Sequence, residues 1–274
     1  MQLTKNGTLI VLKKDIEKFP KIGSGYEGVV RNYQNKYALK FFYSDYFYDK
    51  VNKFKKIEEF THFKDPSFAF PLGIIEVKRF SISMSSDESG YYSPLIQYNP
   101  NYKDFEELYK KTRNQSNQDV VSYLIEASNA MKRIHKLGII IGDVRGCNIM
   151  INEENHPVFV DTDNYAYNTY KFDVGAFGYN MLRSYYGNNF SLKDADIFAY
   201  TILALNILIT NIQMNYLFIN KYIKLMNVPK EAKEILKAIF SNSKNKPYID
   251  EFLSLINPSE QIFDGKAIKR LEMK

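Results

Sequence analysis

Apolar side chains in the first hundred residues gather into short runs broken by turn residues. TLIVL at 8–12, EGVVRNY at 27–33 and KYALKFFY at 36–43 read as strands, with Gln34 and Asn35 as the turn between the last two. Val51, Phe54, Ile57 and Phe60 recur at spacings of three, which predicts a helix over 48–63 that Pro66 and Pro71 bring to an end. FPLGIIEV, RFSISMS and YYSPLIQY complete a mainly β region. After NPNY the pattern changes, and from Asp104 onward helices dominate: 104–112, 118–137, an apolar helix from Asp196, and 230–241. Within this helical part NIMI and VFV flank the turn-rich NEENHP and predict a hairpin. The pattern therefore predicts an α+β protein organised as one bilobal domain, a small β-rich lobe over 1–99 joined to a larger helical lobe over 100–274. Ligands are expected in the cleft between such lobes.

Composition narrows the class. The chain has 274 residues, 45% apolar and 25% charged, the balance of a folded globular protein. Its net charge of +6 favours anionic partners, yet the lysines are interleaved with acids and form no stripe, so a nucleic-acid partner is not expected. The single cysteine, Cys147, rules out an intrachain disulfide and a cysteine metal cluster, and a reducing compartment fits. MQLTKNGTLIVLKKD is too polar for a signal peptide, which makes a cytoplasmic location the expectation. The long apolar run from Asp196 to Ile219 carries Asn206, Asn211 and Gln213 and is read as a buried core helix; no membrane partner is expected.

Gly23, Gly25 and Gly28 in IGSGYEGVV form a G-x-G-x-x-G pattern, whose missing side chains let backbone N–H groups approach a phosphate. A dinucleotide-binding fold would need a helix after the third glycine; Val29 and Val30 instead open a strand, so these glycines belong to a β-hairpin turn. Lys40, one strand later in YALK, would offer a point charge to phosphate oxygens in the same place. An acid from the following helix should hold so long a side chain in position. Glu58 and Glu59 are both available, and Glu59 is favoured because Ile57 and Phe63 frame it.

Asp143 precedes Asn148 by five residues, Asn148 precedes Asp161 by thirteen, and Arg145 lies two past the first aspartate. With the glycine loop and Lys40, this set resembles the eukaryotic-type protein kinases, which carry G-x-G-x-x-G-x-V, A-x-K, a catalytic loop D-x-[KR]-x-x-N and a later metal-binding aspartate. VGAFGYNMLR stands where those enzymes have their A-P-E segment, and Asp196 where they have the aspartate opening a central buried helix. The resemblance runs from residue 22 to about 255. It implies a bilobal protein-kinase-like fold and an ATP- and Mg²⁺-dependent enzyme transferring the γ-phosphoryl group to a protein hydroxyl, serine or threonine being expected.

The same resemblance assigns roles. Asn148 and Asp161 would hold Mg²⁺, Asp143 would orient the acceptor hydroxyl and take its proton, and Arg145 would neutralise charge on the transferred phosphoryl where kinases usually place lysine. Val30, Ala38 and Met150 would sandwich the adenine, and backbone groups of Gln97, Tyr98 and Asn99 would bond its edge. Several motifs depart from the family. H-R-D reads Ile141-Gly142-Asp143, so activation through a phosphorylated segment is not expected. D-F-G reads Asp161-Thr162-Asp163, as in a divergent bacterial or phage subset, and Asp163 is read as a turn or capping acid in preference to an extra metal ligand. A-P-E reads Met181-Leu182-Arg183, which suggests a reversed ion pair with Asp250 or Glu251, near Lys244 and Lys246.

Tyr165, Tyr167 and Tyr170 are read as packing residues in a chain of 22 tyrosines, and Cys147 as a small buried filler. Two alternatives stand beside the kinase: a pseudokinase that serves as an interaction module, and a small-molecule phosphotransferase of the antibiotic-kinase kind. The presence of Lys40, Asp143, Asn148 and Asp161 weighs against the first, and Asp196 with the A-P-E-like segment against the second. The sequence names no protein substrate.

Overall fold

The structure, a computed structural model, describes residues 2–4, 7–43, 50–79, 85–111, 117–171, 182–183, 190–209, 216–242 and 245–263. The protein is mixed α+β and divides into two compact units. One comprises Met1–Gln97 with Val160–Asp163, the other Tyr98–Phe159 with Asn164–Lys274.

The first unit is built on a seven-stranded sheet of order β1-β2-β6-β7-β5-β4-β3. Its strands are β1 (Gln2–Leu3), β2 (Leu9–Leu12), β3 (Lys21–Ser24), β4 (Gly28–Tyr33), β5 (Tyr37–Phe42), β6 (Gly73–Lys78) and β7 (Ser85–Pro94), with a short helix α1 (Lys13–Ile16) after β2. Pairing is antiparallel except between β2 and β6. Gln34 and Asn35 both take positive φ, and the Asn32 side chain accepts from the Asn35 backbone N–H at 2.9 Å, so the expected β4–β5 turn forms where asparagine tolerates that conformation. Most of RFSISMS lies outside the described residues, and YYSPLIQY is strand only as far as Pro94.

Alternation along β5 sorts its side chains between two faces. Leu39 and Phe41 join Leu9, Val11, Ile75, Val77 and Tyr92 in one apolar cluster. Phe42, two residues from Lys40, points the other way, where it meets Tyr91, Ile57 and Phe54, the last two from helix α2 (Lys50–Phe60). Lys40 is therefore aimed into the face that α2 covers, opposite Tyr91 in the β5–β7 register.

The second unit is mainly helical: α3 (Phe105–Lys111), α4 (Asn117–Lys136), α5 (Leu192–Leu208), α6 (Ile219–Leu225), α7 (Lys230–Ile239) and α8 (Ile249–Leu253). The expected hairpin is present as β8 (Ile149–Ile151) and β9 (Pro157–Phe159), with Asn155 at positive φ in its turn. Helix α5 starts four residues before Asp196 because Ser191 caps it. Its hydroxyl accepts from the Asp194 N–H at 3.1 Å while the Asp194 carboxylate accepts from the Ser191 N–H at 2.9 Å. The helix buries residues on every side, Ile197, Phe198, Tyr200 and Leu205 among them, as the apolar run requires of a core helix. Among the described residues no helix is long and apolar enough to cross a membrane.

Candidate functional site

In the first unit the glycine pattern forms the β3–β4 turn. Gly23 pairs with Val30, Ser24 with Val29, and the Gly25 N–H donates to the Gly28 carbonyl at 3.0 Å. A Cβ on Gly28 would sit 2.1 Å from the Phe41 carbonyl oxygen, so glycine is required there for β4 and β5 to meet. A Cβ on Gly25 would meet nothing within 4 Å, so no packing reason accounts for that glycine. Register pairs Val30 with Lys40 and Asn32 with Ala38, which puts Val30, Ala38 and Lys40 on one face of the β4–β5 ribbon.

Lys40 is buried, and carboxylates converge on its ammonium. Glu27 Oε2 lies at 2.8 Å, Asp161 Oδ1 at 2.5 Å and Asp163 Oδ1 at 3.0 Å. Asp161 and Asp163 reach it because residues 160–163 belong to this unit although they follow β9 in sequence. Thr162 is fully buried and ties the segment down, its hydroxyl donating to the Ala69 carbonyl at 3.1 Å. Asp161 has φ +59°, in the left-handed region that costs a non-glycine residue about 1–3 kcal/mol and persists where surrounding contacts enforce it.

Two expectations are corrected here. Glu59 does not hold Lys40: Glu58 and Glu59 are both exposed on α2, and the carboxylates around Lys40 come from Glu27, Asp161 and Asp163. The spacing argument failed because a stride of three advances only about 300° around a helix, so three strides turn the stripe through about half a circle. Val51 accordingly ends exposed while Phe60 is buried, and the buried face is Lys53, Lys56, Ile57 and Phe60. Nor is Asp163 merely a turn or capping acid. Its side chain is wholly buried, with Lys53 Nζ 2.7 Å from Oδ2 and the Tyr91 hydroxyl donating to Oδ1 at 2.7 Å.

Electrostatics follow from this packing. Burial opposes ionisation of Asp163, but Lys40 and Lys53 outweigh it and hold the carboxyl well below the usual carboxylate range. Burial pushes Asp161 up; Lys40 opposes this and the charge of Asp163 adds to it, for a net rise. Burial works against the Lys40 ammonium, yet Asp163, Tyr91, Asp161 and Glu27 hold its pKa well above the usual lysine value. Two ammoniums, on Lys40 and Lys53, thus face three carboxylates in this cluster. The oxygens of Glu27, Asp161 and Asp163 lie within 4.8 Å of one another and could hold a metal ion, and hard carboxylate donors suit Mg²⁺.

In the second unit the segment after α4 carries the other expected residues. Asp196 at the start of α5 accepts from the Ile141 N–H at 2.7 Å, the Gly142 N–H at 2.8 Å and lies 2.9 Å from His135 Nε2. Gly142 takes φ +78°, which glycine adopts without strain. Asp143 follows, half-buried, ion-paired with Arg145. The Asn148 amide nitrogen donates to both the Asp143 carbonyl and its Oδ2 at 3.0 Å, which turns the amide oxygen away from Asp143. A carbonyl oxygen so directed is a fitting donor for a hard cation.

Other expectations meet a mixed outcome. The Asn99 backbone N–H donates to the Ile151 carbonyl at 2.8 Å, so it is already engaged and does not serve as an adenine-edge donor. Gln97 and Tyr98 are exposed, and Met150 is half-buried in β8. Cys147 is exposed, not a buried filler, and partial burial of the thiol still pushes its pKa up. Asp250 is held by Lys132 and by the Ser128 hydroxyl at 2.7 Å, and Lys246 donates to the Ile239 and Ser241 carbonyls, so Asp250 is engaged elsewhere than with Arg183. The rest of the A-P-E-like segment, residues 174–181, and Lys244 lie outside the described residues. Tyr165 is buried and Tyr167 and Tyr170 half-buried, consistent with packing. Glu27, Lys53 and Tyr91 were missed from sequence. Only Glu27, inside the glycine motif itself, gave a local signal. No protein-family model matches the chain, and no curated protein matches it.

Proposed function

We propose that the chain is an ATP- and Mg²⁺-dependent protein kinase of the bilobal kinase-like fold, acting on serine or threonine hydroxyls. The observation that carries the reading is the Lys40–Asp161 pair at 2.5 Å, a buried lysine on a half-buried aspartate, formed across 121 residues of sequence beside a glycine hairpin. A lysine and an aspartate so joined, next to a turn with a sterically unexplained glycine, suit a phosphate chain and its cation.

In this reading Gly23, Gly25 and the backbone around them approach the phosphates, and Lys40 binds phosphate oxygens. Val30, Ala38 and Met150 contact the base. Asp161 and Asn148 hold Mg²⁺, whose charge would neutralise the phosphates when bound. Asp143, held by Arg145 and Asn148, accepts the proton of the acceptor hydroxyl as its oxygen bonds to the γ-phosphorus and the bond to the β-phosphate oxygen breaks, releasing ADP. Arg145 stabilises the charge spread over the transferred group.

The test is transfer of labelled γ-phosphate from ATP by the purified protein and by Asp161→Ala, to itself and to a generic basic protein. Label with the wild type and none with the variant is the expected result. Nucleotide binding with no label in either would overturn the protein-kinase reading in favour of an interaction module or a small-molecule phosphotransferase.

A further inference from the structure

The acid expected on α2 opposite Lys40 is missing, and in its place the helix turns a lysine inward. The Lys53 side chain is 3% exposed, and its Nζ lies 2.7 Å from Asp163 Oδ2 and donates to the Asp163 carbonyl at 3.2 Å. The second oxygen of that carboxylate is 3.0 Å from Lys40 Nζ and accepts from the Tyr91 hydroxyl at 2.7 Å. Both ammoniums lie over the Phe42 ring, Lys40 at 5.5 Å and Lys53 at 5.4 Å from its centroid. A carboxylate with no exposed side-chain surface is stable only if its charge is answered on both oxygens.

We propose that Asp163 and Lys53 are positioning residues for Lys40: Asp163 supplies a wholly buried acid that, with Glu27 and Asp161, fixes the Lys40 ammonium, and Lys53 fastens α2 to that acid. The helix-to-lysine ion pair of the kinase resemblance is rebuilt with its polarity reversed, the acid moved onto the 161–163 segment and the helix providing a cation. This also accounts for an aspartate at 163, where a glycine would leave Lys53 buried without that carboxylate. The inference rests on the kinase reading for its purpose, namely presenting Lys40 to nucleotide phosphates. The pairing itself rests on geometry alone.

The experiment uses the full chain as wild type, Lys53→Met, Lys53→Arg, Asp163→Asn and the Lys53→Met/Asp163→Asn double variant. Each is titrated with a fluorescent N-methylanthraniloyl-ADP in Mg²⁺ and melted without nucleotide. Lys53→Met should weaken nucleotide affinity about tenfold, equivalent to about 1.4 kcal/mol, whereas Lys53→Arg, which keeps the charge, should stay within about threefold. In the melts the double variant should lose no more than the worse single, the signature of one shared interaction. If a charge deletion yields too little folded protein, Tyr91→Phe removes one hydrogen bond to Asp163 and should weaken nucleotide affinity about threefold, as loss of a single bond does. Unchanged affinity in Lys53→Met and Tyr91→Phe, or additive losses in the melts, overturns the inference. Absence of nucleotide binding by the wild type overturns the kinase reading, and the presentation role with it, and the melts report separately on the pairing.

Discussion

Asp161 and Asp163 stand two residues apart, yet their environments drive their protonation in opposite directions. Asp163 has a folded-state pKa below its unfolded value, so the unfolded chain takes up the proton first. Its stabilisation is full above the ordinary carboxylate pKa of about 3.9 and is lost as pH falls from there toward the folded value. Asp163→Asn should cost about 3–5 kcal/mol at pH 7, because it leaves two buried lysines short of a charge, and its acid limb should be shallower than the wild type's in melts from pH 7 to pH 2. Asp161 has the opposite sign. Its folded pKa is raised, so it favours folding only while protonated and disfavours it once pH rises through the folded value. Asp161→Asn should therefore melt above the wild type at pH 8 without Mg²⁺, with the gap closing as pH falls, while phosphoryl transfer is lost. Functional sites trade stability in this manner.

At the level of elements, the hairpins separate structure from ligand. Gly28→Ala drives a methyl into the Phe41 carbonyl and should cost about 1–3 kcal/mol by forcing β4 from β5. Gly25→Ala adds a methyl to open space and should leave the stability within about 0.5 kcal/mol of wild type, yet weaken Mg²⁺-nucleotide affinity severalfold if phosphate approaches that turn. Calorimetry on both variants reads the contrast. Helix α5 poses a parallel case, since Asp196 binds two backbone N–H groups and His135. Asp196→Ala strands those buried donors and should cost about 3 kcal/mol or more, with faster amide exchange at Ile141 and Gly142 as the direct readout.

For the molecule as a whole, a ligand that binds only the folded state must raise its melting temperature. Mg²⁺-ATP at a hundred times its Kd should add about 2.7 kcal/mol, or about 5 °C or more for a chain of this size. The same nucleotide with EDTA should add less, and Asp161→Ala should remove the Mg²⁺-dependent part.

Much of this was legible in the chain. Short apolar runs gave β2, β4 and β5, and the turn residues gave the hairpins at Gln34–Asn35 and in NEENHP. Short-range spacing also joined Asn148 to Asp143, because both lie within one loop. Such features depend on residues a few positions apart, whose relative placement the backbone alone nearly fixes. Which acid answers Lys40 was decided only in three dimensions. The candidates at 58 and 59 were turned outward by the roll of α2 against the sheet, and the actual partners arrive from Glu27 in the β3–β4 turn and from a segment more than a hundred residues away. A buried lysine such as Lys53 leaves no mark in a hydrophobic pattern, since its burial depends on a carboxylate that only the tertiary fold delivers.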